Sequence, residues 1–190
     1  MRAVIIFSSR NGQTRRICER MAAASRVYGL ETHLFELSEV PDDIVLHAAD
    51  VVVLAGPVYF DRHPRALVRF ATAHRTALAR VRSFFVSVSG AARSPEGRGV
   101  AADYARKFLG LTGWAPDRVE CVAGGEPYTK YGWVTRWFMV RHHRKMGQTV
   151  DPSRDYEFTD WTQVDRIARD IAASVGVSAA TAAPRSTVPA

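Results

Sequence analysis

Mostly unbroken apolar runs of strand length recur along the chain, at Ala3–Phe7, Thr32–Leu37, Val51–Ala55, Phe84–Val88 and Val119–Ala123. A strand with one wet face alternates in polarity. A continuous run is apolar on both faces, so these segments predict a parallel sheet with helices above and below it. Between them, apolar positions at helical spacing predict helices over Thr14–Tyr28, Pro64–Leu78, Gly99–Leu111 and Trp161–Ser174. Strand and helix thus alternate, which predicts a doubly wound α/β domain with right-handed crossovers. Two stretches break the scheme. Residues 126–155 follow the fifth strand where a short connection would serve, and predict an insertion with a task of its own. The end of the chain, 176–190, is rich in Ala, Ser, Thr and Pro without periodicity, and predicts a disordered tail on a domain spanning 1–175.

Composition narrows the class. A chain of 190 residues that is 47% hydrophobic can bury one good core. The two cysteines, Cys18 and Cys121, sit among apolar neighbours with no CxxC spacing, as small core residues in a reducing compartment would. No apolar stretch has the length of a membrane span or the layout of a secretion signal, which predicts a cytoplasmic protein. The net charge of +7 points to anionic partners: nucleic acid, lipid headgroups or an acidic small molecule. No residues have metal-ligand spacing, so no metal is expected.

The first strand runs directly into SSRNGQT, Ser8 to Thr14. In an open parallel sheet, ligands bind beyond the carboxyl ends of the strands, where the winding reverses. Ser9, Asn11 and Thr14 can offer side-chain donors there, Gly12 permits a positive φ, and Arg10 and Gln13 complete the turn. The amides of the next helix start would point at the same spot. Together they can hold a phosphate without a lysine, although a helix cap and turn would use the same residue types. Neither the nucleoside triphosphate loop nor the GxGxxG pattern is present. Two later loops leave the same sheet edge. One carries Pro57, Val58, Tyr59 and Phe60; the other carries Ser89, Gly90 and Ala91, small enough for backbone to approach a flat ring. A phosphate cradle flanked by two such loops suggests flavin mononucleotide, FMN.

The opening strand with SSRNGQT resembles the flavodoxin superfamily, whose phosphate loop reads Ser/Thr, any, Ser/Thr, Gly, any, Thr; Asn11 replaces the middle hydroxyl here. FSSRNGQTRRI, YARKFL (Tyr104–Leu109), GWAPDRV (Gly113–Val119) and YEFTDWTQV (Tyr156–Val164) are similar to the menaquinone-dependent protoporphyrinogen IX dehydrogenases of bacterial haem synthesis. That resemblance implies a flavodoxin-like sheet of order 2-1-3-4-5. It also implies FMN as cofactor, a porphyrinogen substrate, a membrane quinone as electron acceptor, and residence on the inner face of the cell membrane. One departure stands out. An Arg-Tyr-Gly run usually precedes a histidine in the loop after the third strand, whereas this chain has Val58-Tyr59-Phe60-Asp61-Arg62-His63.

Arg62, Arg65 and Arg69 are spaced i, i+3 and i+7, starting beside the expected flavin loop. Arginine binds carboxylates bidentately, so Arg62 and Arg65, with His63, are candidates to position a substrate bearing two propionates; Arg69 reads better as part of a solvated helix face. The insertion mixes Trp133, Trp137 and Phe138 with Arg141, Arg144 and Lys145. Such a segment fits an anionic membrane surface with access to a quinone. Trp133, Trp137 and Val140, at i, i+4 and i+7, would equally serve to cover the core. No nucleic-acid-binding signature accompanies the basic residues, so no nucleic-acid partner is expected. Association of identical chains is left open. Other readings are an electron carrier, which the basic charge disfavours, an NAD(P)H-quinone reductase, and an adaptor that has lost its flavin.

Overall fold

The computed structural model describes residues 1–41, 44, 46–126, 128–130, 132–134, 136–137, 140–141 and 151–177. Five parallel strands, β1 (Arg2–Phe7), β2 (Glu31–Glu36), β3 (Val51–Pro57), β4 (Arg82–Ser89) and β5 (Arg118–Ala123), form a sheet in the order β2-β1-β3-β4-β5. Ala3, Ile5 and Phe7 of β1 face one helical layer, made of α1 (Gln13–Val27) and α5 (Trp161–Ser174). Val4 and Ile6 face the other, which includes α2 (Arg65–Ala73) and α4 (Arg98–Thr112). Both registers are buried in β1, β3 and β4, which is why these three central strands carry no polar alternation. Burying each large apolar side chain contributes about 1.5–3 kcal/mol.

The expected helix over 64–78 is two helices, α2 and a short α3 (Arg75–Leu78). His74 lies between them with φ −101 and ψ 11, off the helical path, and the bend delivers Leu78 fully buried into the core. The insertion is pinched at its neck by a two-residue antiparallel pair, β6 (Gly125–Glu126) and β7 (Tyr156–Glu157). Tyr128, just inside it, is fully buried and meets Tyr156 edge-on at 5.9 Å. At the other end, Gly176 takes φ 78 and the Val177 N–H bonds the Ala172 carbonyl, a left-handed stop to α5. The rest of the expected tail, 178–190, lies outside the described residues.

Candidate functional site

β1 and β3 are neighbours, but β2 lies on the far side of β1, so the winding reverses beside β1. The loops after β1, β3 and β4 leave this edge together. In the first, Gly12 adopts φ 92 and ψ −18 and starts α1. No heavy atom lies within 4 Å of where its Cβ would stand, so the backbone angle and not crowding asks for glycine. Ser9 Oγ accepts from the N–H groups of Gly12 (3.2 Å) and Arg15 (3.3 Å), while the Arg16 N–H makes the first intrahelical bond, to Gly12. A helix start with amides lacking intrahelical acceptors is an anion site in waiting. The Gln13 side chain is occupied elsewhere: its Nε2 donates to Thr159 Oγ1 at 2.8 Å, and Thr159 donates in turn to the Ala123 carbonyl. What Gln13 can offer the crevice is its backbone.

The second loop extends the β3–β4 ladder through the Val58 N–H, which bonds Val88 O at 2.8 Å, and then folds into a tight hairpin with Tyr59 and Arg62 bonded in both directions. Its two central residues, Phe60 (φ 48) and Asp61 (φ 61), both hold left-handed backbone. This is the turn that normally takes Asn-Gly, and side chains here carry strain of the kind stored at functional sites. Phe60 is 72% exposed at the tip. Asp61 is tied to α4 by the Tyr104 hydroxyl, which donates to Oδ1 at 2.5 Å. Burial, and then that carboxylate, push the Tyr104 phenol up to about 12. Burial also raises Tyr59, although the backbone amides of Arg10 and Asn11 lie at its phenol oxygen and pull the other way. Tyr59 therefore lies across the phosphate-type turn.

In the third loop, Gly90–Arg93 form a short 3-10 turn, closed against Gly97, where a Cβ would meet Ala91 O at 2.0 Å. Ser89, at the end of β4, is buried and its hydroxyl has no hydrogen-bond partner among the described residues. A buried hydroxyl without a partner costs about 1–3 kcal/mol, and a polar ligand edge would remove that cost. Arg93 pairs with Glu126 at 3.1 Å and stacks on Phe158, so the loop is braced by β6 of the insertion's neck and by the residue that follows β7.

Of the expected substrate-positioning residues, His63 is 7% exposed, with Nε2 sharing a 3.1 Å hydrogen bond with Ser87 Oγ and its ring against Phe85 and Phe108. Burial lowers its pKa to about 4, so it is a neutral imidazole at pH 7. Arg62 and Arg65 are exposed and, with Arg69, border a cavity of about 300 Å³ whose other wall is α4. Sequence reasoning did not anticipate Asp61, Ser87, Tyr104, Lys107 or Glu126 here. Tyr104 and Lys107 belong to YARKFL, but nothing in that phrase says which helix it faces.

Trp133, Val134, Arg136, Trp137, Val140 and Arg141 have helical backbone. Trp133 is 83% and Trp137 62% exposed, so these rings do not cover the core; Arg141 stacks on Trp137 at 5.8 Å. Phe138, Arg144 and Lys145 lie outside the described residues. Among the described residues no helix is long and apolar enough to cross a membrane, and no cluster of side chains could hold a metal ion.

Residues 4–154 match a family described as Flavodoxin domain. Over 174 residues the chain is 34% identical to a protein of Escherichia coli (strain K12) named protoporphyrinogen IX dehydrogenase (quinone), covering 90% of this chain and 95% of that one. A protein of the same name from Leishmania major is 26% identical over 176 residues, covering 90% of this chain and 75% of the relative. In three dimensions the chain is similar to the flavodoxin of Streptococcus pneumonia TIGR4, with TM-score 0.54 and 18% identity over 91% of this chain and 99% of the other. A short-chain flavodoxin associated with a bacterial microcompartment gives TM-score 0.57 at 9% identity, covering 93% and 99%. The structural likenesses speak for the fold alone.

Proposed function

This chain belongs to the flavodoxin domain family and, within it, to the group of the protoporphyrinogen IX dehydrogenases (quinone), and on that premise we propose that it is an FMN-dependent enzyme that oxidises protoporphyrinogen IX and passes the electrons to a membrane quinone. The observation that carries the reading is the convergence of three loops at the β1/β3 edge, with a glycine-opened helix start, a strained aromatic hairpin and the partnerless Ser89 hydroxyl around one crevice.

The residues present fit FMN. Ser9, the backbone of Arg10, Asn11, Gly12 and Gln13, and Thr14 would hold the phosphate, once Tyr59 yields the amides its phenol now meets. Tyr59, Phe60, Pro57 and Val58 on one side, and Ser89, Gly90 and Ala91 on the other, would flank the ring. Bound there, FMN supplies two-electron redox chemistry. The chain's own contribution is orientation and electrostatics. Arg62 and Arg65 would meet substrate carboxylates beside the hairpin. His63, neutral and bonded to Ser87, supports the segment that carries Arg62 and is not a charged acid at pH 7. The exposed Trp133 and Trp137, with Arg141, and with Phe138, Arg144 and Lys145 beyond them, would rest on the anionic inner face of the membrane, where substrate and quinone both partition.

The test is to mix the purified flavoprotein anaerobically with protoporphyrinogen IX and a menaquinone analogue. Porphyrin fluorescence growing only when the quinone is present supports the proposal. Intact flavin bands with no porphyrin formed would remove the substrate. Rapid reduction by NADH instead would favour a nicotinamide-linked quinone reductase.

A further inference from the structure

The cavity between α2 and α4 is not explained by binding FMN. Its lining comes from two helix faces at i, i+3 and i+4 spacing, Arg65, Val68 and Arg69 against Tyr104, Lys107, Phe108 and Leu111, with Asp61 and Arg62 of the strained hairpin at its rim. The bed is apolar: Phe108 is buried beneath it and stacked on Phe85 at 4.3 Å, Val68 is half-buried, and Leu111 is 63% exposed. The rim is cationic, with Arg62, Arg65, Arg69 and Lys107 against Asp61, and Asp61 already accepts the Tyr104 hydroxyl.

These cations differ from many of the chain's other arginines. Arg15, Arg20, Arg82 and Arg118 each have a carboxylate partner, whereas no ion pair is found for Arg62, Arg65, Arg69 or Lys107 among the described residues. Arg65 and Arg69, one turn apart on the same helix, repel each other without a counter-charge. An apolar floor and four rim cations against the single carboxylate of Asp61, which already accepts the Tyr104 hydroxyl, together specify the missing partner: an amphipathic molecule with more than one carboxylate.

We propose that the α2/α4 groove is the binding site for the carboxylate-bearing edge of the tetrapyrrole, with Arg65, Arg69 and Lys107 as its anion partners and Val68, Phe108 and Leu111 as its apolar bed. The identity of the ligand rests on the dehydrogenase reading above; its class rests on the groove. At about 300 Å³ the cavity is at the small end of ligand sites, too small to enclose a tetrapyrrole, so it takes one edge and leaves the rest of the molecule towards the hairpin. The groove is thus a recognition subsite. It sets which porphyrinogens are admitted by their acid side chains, and it leaves the redox chemistry to the crevice.

The experiment measures binding of protoporphyrin IX and of its dimethyl ester to the FMN-loaded protein by porphyrin fluorescence. It compares wild type with Arg65→Gln, Arg69→Gln, Lys107→Gln and, as a control for general charge, Arg80→Gln. Flavin content and circular dichroism establish that each variant is folded. Loss of one charge-assisted pair is expected to weaken the diacid about tenfold or more per groove substitution. The ester should bind weakly to wild type and be unaffected by any substitution, and Arg80→Gln should bind both like wild type. Equal binding of acid and ester, or groove variants that hold the diacid as tightly as wild type, would overturn the subsite. Quinone-dependent porphyrin formation by wild type is read separately. Its absence beside intact diacid selectivity would sink the dehydrogenase reading and keep the groove, and its presence beside unselective groove variants would do the reverse.

Discussion

Acidification is expected to unfold this protein partly through one buried imidazole. His63 packs between Phe85 and Phe108, shares its Nε2 hydrogen bond with Ser87, and titrates near 4 in the folded chain against 6.5 for an ordinary histidine, because burial disfavours its charged form. Between those values the unfolded chain binds a proton that the folded chain refuses, so falling pH favours unfolding. The stabilisation is fully present above pH 6.5 and is lost as pH falls through about 4. At about 1.4 kcal/mol per pH unit, the displacement is worth about 3 kcal/mol. Replacing His63 by Gln keeps an amide within reach of the Ser87 hydroxyl and removes the titration. Urea-unfolding free energies of wild type and His63→Gln should therefore be compared at pH 7, 6, 5 and 4.5. The variant is expected to start lower at pH 7, from imperfect packing against the two rings, and to lose about 2 kcal/mol less than wild type by pH 4.5. Carboxylates held below their usual range by hydrogen-bond donors, such as Asp165 beside Arg20 and Glu157 beside Arg16 and Gln13, contribute to both curves and cancel in the difference. Parallel curves would refute the argument, because they would mean that His63 is hydrated enough to protonate in the folded chain.

Gly12→Ala should lower stability by about 1–2 kcal/mol, the cost of a left-handed backbone for a residue with a Cβ, and should weaken FMN binding; thermal melts with and without FMN read both. Gln13→Ala breaks the 2.8 Å bond to Thr159, worth about 0.5–1.5 kcal/mol, and should speed limited proteolysis within 126–155 while leaving FMN uptake nearly intact, since the backbone amide remains. A Trp133→Ser, Trp137→Ser double variant removes two exposed rings and is expected to reduce co-sedimentation with anionic vesicles several-fold without changing the melting temperature. Unchanged sedimentation would contradict a membrane role for that segment.

The sheet was legible because β1, β3 and β4 are buried on both faces and so spell continuous apolar runs; α5 was legible from its apolar spacing, and it starts at Trp161 because Asp160 caps it, accepting from Thr162 and Gln163. The neck strands β6 and β7 were not, since two residues carry no periodicity. Gly12 announced its positive φ by being glycine, whereas Phe60 and Asp61 hold the same region with residue types that give no such signal. Pairings such as Gln13 with Thr159, or Arg93 with Glu126, link positions far apart in the chain and belong to the tertiary structure. The arginine row of α2 could be read from spacing, but not its completion by Lys107, because that depends on α4 packing beside α2. Trp133, Trp137 and Val140 fit core and surface equally at their spacing, and only exposure separates the two.

The most direct test of the central claim is a titration of FMN into flavin-free protein, followed by quenching of flavin fluorescence, for wild type and for Ser89→Val. The account predicts saturation at one FMN per chain in wild type and weaker uptake once the Ser89 hydroxyl, buried at the end of β4 with no partner among the described residues, is replaced by an apolar group. Wild-type protein that leaves flavin fluorescence unchanged at every concentration would contradict it.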